Sequence, residues 1–388
     1  MTAVVTDLKR PFTARLALAA IFFANGLGIG SWATAIAPVK AILSLSDAQL
    51  SFALLAMAAG AIVMMPLAGL LALHLGGTGR LLRVSSTLFA VSLCLPGLTP
   101  NLAALILATL LLGLANGLME VPMNTHATAI EQRWGAAIMS SFHAAWSCGT
   151  LAGATLGGVL IRAGVDPQWQ LAISGCAVLL VVLPSLPKIG AGVIIGQSQA
   201  FALPERRLLG LCLIALIALL AEGAMTDWSA VYLTSVLAFT PAVAASGYAV
   251  YAGSMLIGRL FGDLVVRRAG RRQIILLGAA MTAAGLLLAV ASASLPITFA
   301  GLSLVGLGLS NMVPAIFSAS AAMGSTPAIG ISMTATAGYG GFLLGPPAIG
   351  AVASFSGLRP AFLLLILAML AIVPIAVTSL RKTIPSVD

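Results

Sequence analysis

The chain has 388 residues, 60% hydrophobic and only 7% charged. A soluble domain carries about 25% charged residues because its surface faces water, so most of this chain's surface must face lipid. The net charge of +9 would point to nucleic acid in a soluble protein. Here the basic residues lie in short clusters between apolar runs, and no basic helix face is interleaved with aromatics, so nucleic acid is excluded as a partner.

Lys9, Arg10 and Arg15 precede the first apolar run. No A-x-A-type cleavage site closes a short apolar region and more apolar segments follow, so the opening reads as a retained first helix rather than a signal peptide. Apolar segments run near 15–37, 48–73, 81–98, 102–129, 136–161, 169–186, 208–235, 242–266, 273–293, 296–322, 328–354 and 359–380. Each is roughly long enough to cross a ~30 Å hydrocarbon core, which predicts an all-α membrane protein of twelve spans. The longest polar-leaning interruption, 187–207, reads as a cytoplasmic linker between an N-terminal bundle, 1–186, and a C-terminal bundle, 208–388.

With the N-terminus in the cytoplasm, the segments on that side carry Lys9, Arg10, Arg15, Arg80, Arg83, Arg133, Lys188, Arg206, Arg207, Arg267, Arg268, Arg271, Arg272, Arg381 and Lys382. The opposite side holds Lys40, Arg162 and Arg359. This positive-inside bias predicts an inner-membrane protein with both termini cytoplasmic. The halves resemble one another at a shift of about 192 residues: Pro122 falls on Pro314, Gly149 on Gly341 and Gly153 on Gly345. Six spans per half put both repeats into the membrane from the same side, a parallel pseudo-two-fold repeat. Glycines four apart, as at Gly149, Gly153 and Gly157, predict close helix packing and allow a sliding surface.

A charge within the bilayer costs about 2.5–3.5 kcal/mol on insertion scales, so each needs a reason. Glu120 is flanked at four residues by Asn116 and Asn124, one helical stripe that should face the bundle interior. Two readings stand, a substrate contact or proton carrier and a structural hydrogen bond. Glu222 and Asp227 share the seventh segment but point about 140° apart. Glu222, on the face of Thr226, is the candidate for substrate or proton; Asp227 is assigned to gating or packing. His143, Trp146, Ser147 and Thr150 form a stripe on the fifth segment, and Tyr248, Tyr251, Met255 and Arg259 one on the eighth. Aromatics with a polar handle suit a cavity for a small molecule, and equally a packed core. Asn25, Trp32 and Asn311 join the candidate lining. His126 lies near a helix end and is read as reaching the interface. Arg259 and Asp263, four apart, predict an internal ion pair; with Arg267 and Arg268 they form a candidate gating latch.

Cys94, Cys148, Cys176 and Cys212 lie in apolar segments without CxxC spacing, so no metal or disulfide is expected. No phosphate loop, nucleophile elbow or HExxH occurs, so no cofactor, no ATP chemistry and no enzyme site is expected. Arg259 is off-centre and no other cation lies mid-membrane, which leans toward neutral or cationic solutes.

Three stretches carry a family resemblance. They are Gly117-Leu-Met-Glu120-Val-Pro-Met-Asn124 with Met139-Ser-Ser-Phe-His143; Ala221-Glu222-Gly-Ala-Met-Thr-Asp227-Trp228; and Gly258-Arg259-Leu-Phe-Gly-Asp263 with Gly345-Pro346-Pro347. They resemble the major facilitator superfamily, in particular its fucose-permease-like branch with the YbjJ-type inner-membrane proteins. The resemblance implies alternating access around one central cavity between the bundles, and proton coupling at a position matching Glu120. The loop after the second segment departs from the superfamily pattern: it reads Gly69-Leu-Leu-Ala-Leu73-His74, without the acid. The expected partners are a small-molecule substrate, protons and membrane lipid, with the protein a monomer. The leading expectation is secondary transport of a neutral polar solute such as a sugar; proton-antiport efflux of amphipathic or cationic compounds and a non-transporting membrane sensor are the rivals.

Overall fold

Hydropathy this high leaves the backbone to satisfy its own hydrogen bonds, and helices do so within one segment. The computed structural model describes residues 5–6, 11–135, 138–190, 192–193, 205–325 and 327–380. Apart from a two-residue antiparallel pairing of Val5–Thr6 with Gly192–Val193, its regular structure is helical. The α-helices are α1 (Pro11–Ile42), α2 (Asp47–His74), α3 (Thr78–Cys94), α4 (Leu102–Trp134), α5 (Met139–Arg162), α6 (Pro167–Val182) and α7 (Leu209–Ser235). They continue with α8 (Pro241–Leu260), α9 (Gly262–Ala269), α10 (Arg271–Ala291), α11 (Leu295–Leu309), α12 (Met312–Met323), α13 (Pro327–Ser356) and α14 (Leu358–Ser379).

Local chemistry sets several boundaries. Ser46 and Gln49 form a reciprocal capping box at the start of α2. Asn101 accepts the Ala104 N–H at 3.0 Å and opens α4. Gly135, at φ 73°, closes α4 in the left-handed conformation that glycine adopts without strain.

Among the described residues, ten helical stretches are long and apolar enough to cross a membrane. The other two spans are α8 and α13, whose Gly, Ser and Tyr dilute their hydropathy. At 20 and 30 residues they are still long enough for the passage. Exposed Leu107, Leu180 and Phe355 give the outer face the apolar character that lipid requires.

Two expected spans carry a local interruption, although Leu295–Met323 still forms one stretch long and apolar enough to cross a membrane. The eighth, 242–266, breaks at Phe261 into α8 and α9, and the tenth, 296–322, breaks at Ser310–Asn311 into α11 and α12. The physical reason is shared. Asn311 donates its side-chain amide to the Gly258 carbonyl at 2.8 Å and to Ser310 Oγ at 3.0 Å, and its Oδ1 crowds Gly262. Its amide thus bonds across to the other break, and the flanking glycines of α8 and α9 are weak helix formers.

The chain divides into two compact units, Met1–Ser198 with Phe239–Ala249, and Gln199–Ala238 with Val250–Asp388. Within the first, α1 packs on α5, α2 on α4, and α3 on α4 and α6. The α1–α5 seam is glycine on both sides: a methyl at Gly26 or Gly30 would collide with the carbonyls of Trp146 or Thr150, and one at Gly149 or Gly153 with those of Phe23 or Leu27. The backbones therefore touch directly, as small residues four apart allow. Within the second unit, α7 packs on α13 and α14, and α10 on α11 and α14. The expected linker falls largely outside the described residues, which omit 191 and 194–204.

Candidate functional site

In the first unit the close α1–α5 seam brings Asn25 against Trp146, and α4 brings Asn116 to the same point. Trp146 Nε1 donates to Asn25 Oδ1 at 2.8 Å; Asn25 Nδ2 donates to Asn116 Oδ1 at 2.9 Å and approaches Met119 Sδ at 3.6 Å. Asn25 is 4% exposed, so its amide is turned inward and fixes its neighbours. Asn116 and Trp146 remain half-buried. Asn116 has given its oxygen to Asn25, which orients its NH₂ donors outward from the triad.

The rest of the α4 stripe is less uniform. Glu120 is half-buried, and its backbone carbonyl accepts Asn124 Nδ2 at 3.0 Å, so Asn124 is bent onto its own helix. His143 is exposed, with its ring edge on Phe22 at 5.6 Å. Ser147 and Thr150 return their hydroxyls to the carbonyls of His143 and Trp146. Trp32 is 1% exposed and its indole nitrogen has no partner among the described residues, the environment of a core residue. His126 is fully buried against Thr78, Nδ1 to Oγ1 at 3.3 Å.

In the second unit the structure joins two residues that the sequence places apart. Arg259 Nη2 of α8 lies 3.3 Å from Glu222 Oε1 of α7, with side chains 18% and 12% exposed. Thr226 returns its hydroxyl to the Glu222 carbonyl at 3.2 Å. Asn311, through Gly258, holds the turn of α8 that carries Arg259. Tyr251 and Met255 are buried, as is Tyr248, which falls in the first unit. Asp227 is half-buried beside the fully buried Trp228. The side chains of Asp263 and Arg267 lie outside the described residues, while Arg268 is exposed on α9.

Several contributors escaped the sequence reading. Glu131, near the end of α4, accepts the backbone N–H groups of Ile138 and Met139 at 2.7 and 2.6 Å, capping α5 from another helix. Arg15 lies 4.7 Å over the Trp134 ring. In the loop without the expected acid, Arg80 donates to the Leu75 carbonyl at 3.1 Å and ties off α2. In the second unit, Glu205 accepts Ser325 Oγ and N–H and pairs with Arg207, so the Ser325 hydroxyl, then Arg207, hold its carboxyl below the usual range. For Glu131 and Glu205, a carboxylate near a helix end is the signal the sequence offers; the partner is not legible there.

A Major Facilitator Superfamily model matches residues 18–324. An uncharacterized MFS-type transporter of Yersinia pestis is 35% identical over 366 residues, covering 93% of each chain. Membrane protein MosC of Rhizobium meliloti is 36% identical over 354 residues, 90% of this chain and 86% of that protein. Among solved structures, the nucleoside transporter NupG superposes with a TM-score of 0.73 at 17% identity, covering 95% of this chain and all 100% of that one. A bacterial homolog of the human lysosomal transporter Spinster, inward-facing and unoccupied, gives 0.75 at 15% identity, covering 97% and 99%. At these identities the likeness of structures is one of fold.

Proposed function

This chain belongs to the Major Facilitator Superfamily, and from that premise we propose that it is a proton-coupled transporter of a small, sugar-sized polar solute. The chain is a multi-pass membrane protein and a secondary transporter; the solute class and the coupling are our reading. The observation that carries it is the Asn25–Asn116–Trp146 triad. A buried amide is spent on orienting a second amide and an indole, and the neighbouring stripe holds a carboxyl, Glu120. Oriented amide donors beside an aromatic suit a solute rich in hydroxyl or carbonyl oxygen. Glu120 and Glu222 are the carboxyls proposed to carry protons, because an acid within the membrane is a functional candidate by default.

The proposed cycle is alternating access, in which the site opens to one side of the membrane at a time. The proposed setting is the inner membrane with both termini cytoplasmic, supported by the distribution of Lys and Arg, and with a monomer as the working unit. Residues 187–207 are proposed as the linker between six-helix halves, and the fucose-permease-like branch as the nearest subdivision. The deciding experiment is uptake into proteoliposomes under an imposed pH gradient, with wild type and Glu120→Gln compared. Coupling at Glu120 predicts gradient-driven accumulation that the variant loses; identical pH dependence in both removes Glu120 from that role.

A further inference from the structure

We propose that the end of the first unit where α1 begins and α4 finishes is a docking site for one anionic phospholipid. The Arg15 guanidinium takes the phosphodiester, and Phe12 and Leu16 take the start of an acyl chain. This goes beyond the transport reading and does not depend on which solute crosses.

Helical spacing gathers the parts. Phe12, Arg15 and Leu16 stand three and four apart in the first turns of α1 and share one face of it. α4 ends at Trp134 and α5 begins at Met139. The Arg15 guanidinium carbon lies 4.7 Å over the Trp134 ring, and its Nη2 donates to Ser141 Oγ at 3.4 Å. Phe12 meets the same indole with ring centroids 6.5 Å apart. Ser141 spends its own hydroxyl proton on the Ile138 carbonyl at 2.6 Å, so towards Arg15 it can only accept. An indole face and a hydroxyl thus fix one end of the guanidinium.

The other end is what a ligand would use. A guanidinium stays charged and carries five N–H donors in a fixed fork. The one described hydrogen bond of Arg15, at 3.4 Å, is longer than the ~2.7–3.2 Å of a good bond. Lys40, Arg207 and Arg259 each have a described carboxylate, and Arg80 a carbonyl; Arg15 has neither. α1 and α5 contain no Asp or Glu. Glu131, on the last turn of α4, is engaged by the Ile138 and Met139 N–H groups. In the flanking sequence Asp7 and Glu131 stand against Lys9, Arg10, Arg15 and Arg133, so the balance is positive. A phosphodiester offers the paired oxygens that a guanidinium fork fits. A lipid is favoured over a free phosphate by what lies beside Arg15: Phe12 and Leu16 are 61% and 57% exposed. The span begins at Phe12, which sets Arg15 and Trp134 at headgroup depth, where indoles and basic side chains meet anionic lipid.

The test melts the full-length protein in mixed micelles that carry equal mole fractions of dioleoyl phosphatidylglycerol or dioleoyl phosphatidylcholine. Glycerol 1-phosphate and inorganic phosphate are the soluble comparators. The expected result is a higher melting temperature with phosphatidylglycerol than with phosphatidylcholine, because a ligand held by the folded state stabilises it. The difference should shrink as salt is raised. Arg15→Gln should weaken the apparent affinity for phosphatidylglycerol about fivefold, what one cation at an anionic surface supplies, and leave the response to phosphatidylcholine unchanged. Arg162→Gln, at the opposite end of α5, should keep the wild-type preference. If Arg15→Gln is not recovered folded, Arg15→Lys decides: it keeps the charge and loses the fork, so its affinity should fall below wild type. Native mass spectrometry of retained phosphatidylglycerol should rank the variants in the same order. Equal stabilisation by the two lipids overturns the site. So does a wild-type preference in the Arg15 variants, or the full effect from glycerol 1-phosphate or inorganic phosphate alone.

Discussion

The two units share an architecture and treat polarity in opposite ways. In the first, the described polar centre is a neutral network of amide and indole, Asn25, Asn116 and Trp146, built where two glycine-lined backbones touch. In the second, it is an ion pair, Glu222 with Arg259, built where two helices are interrupted. A neutral network reads shape and hydrogen-bond direction and is insensitive to pH. An ion pair reads charge and responds to protons. The difference is one of chemistry: the triad itself has no titrating group, although Glu120 lies on the neighbouring stripe, whereas the pair of the second unit is charged.

The seams supply the largest expected effect. Gly149→Leu drives a side chain into the Phe23 carbonyl, and relief requires separating α1 from α5. We expect a loss of about 3 kcal/mol or more, seen as failure to recover monodisperse protein. Gly341, which the repeat aligns with Gly149, is as tight, since an added methyl there would collide with the Leu216 carbonyl oxygen, whereas Gly345, aligned with Gly153, has Leu220 Cγ at 3.6 Å as the nearest atom. Gly345→Ala should therefore stay within about 0.5 kcal/mol of wild type. Equal tolerance at Gly149 and Gly345 would show that the Phe23 carbonyl does not limit the first seam.

Next in size is the ion pair. Glu222→Ala removes the 3.3 Å contact to Arg259. The full burial value is ~3–5 kcal/mol, and the residual exposure reduces the expectation to about 2–3 kcal/mol. The double variant with Arg259→Ala should recover part of that loss, so a thermal double-mutant cycle should give at least ~1 kcal/mol of coupling. Strict additivity would mean that the pair is not formed.

A smaller effect is expected at Asn25→Ala, which strands the Trp146 N–H and one Asn116 acceptor, about 1–3 kcal/mol. The sharper readout is binding. Solute affinity should fall while its pH dependence is unchanged, because the triad carries no titrating group. A shifted pH profile in this variant would mean that the triad acts on a titrating group.

The smallest is Glu205→Gln. The folded carboxyl is held below its ordinary range, so its contribution is present above the unfolded value and fades as pH falls through the folded one. The melting temperature of wild type should therefore exceed that of the variant slightly at neutral pH, and the two should converge in acid. A gap that widens on acidification would reverse the sign and remove the Ser325 contact as its source.

Much of this was legible before any fold was known. Hydropathy is local, so the apolar segments, the Gly149–Gly153 packing spacing and the exclusion of a soluble surface followed from the chain directly. The stripe of Asn116, Glu120 and Asn124 was also legible as a face of one helix. Which member of it does what was not: Asn124 folds back on the Glu120 carbonyl, while Asn116 is claimed by Asn25, 91 residues away. Helix interruptions were equally hidden, because 296–322 is predominantly apolar and it is the Asn311 bond to Gly258 that marks the break.

The sequence by itself determined solvent, segment count and the family, since lipid selects composition and composition can be read residue by residue. The tertiary structure alone decided partnership. The described contact of Arg259 is with Glu222, 37 positions earlier and on another helix, a partner that spacing along one helix does not offer. Pairing across helices depends on crossing and depth in the membrane, which no single helix encodes.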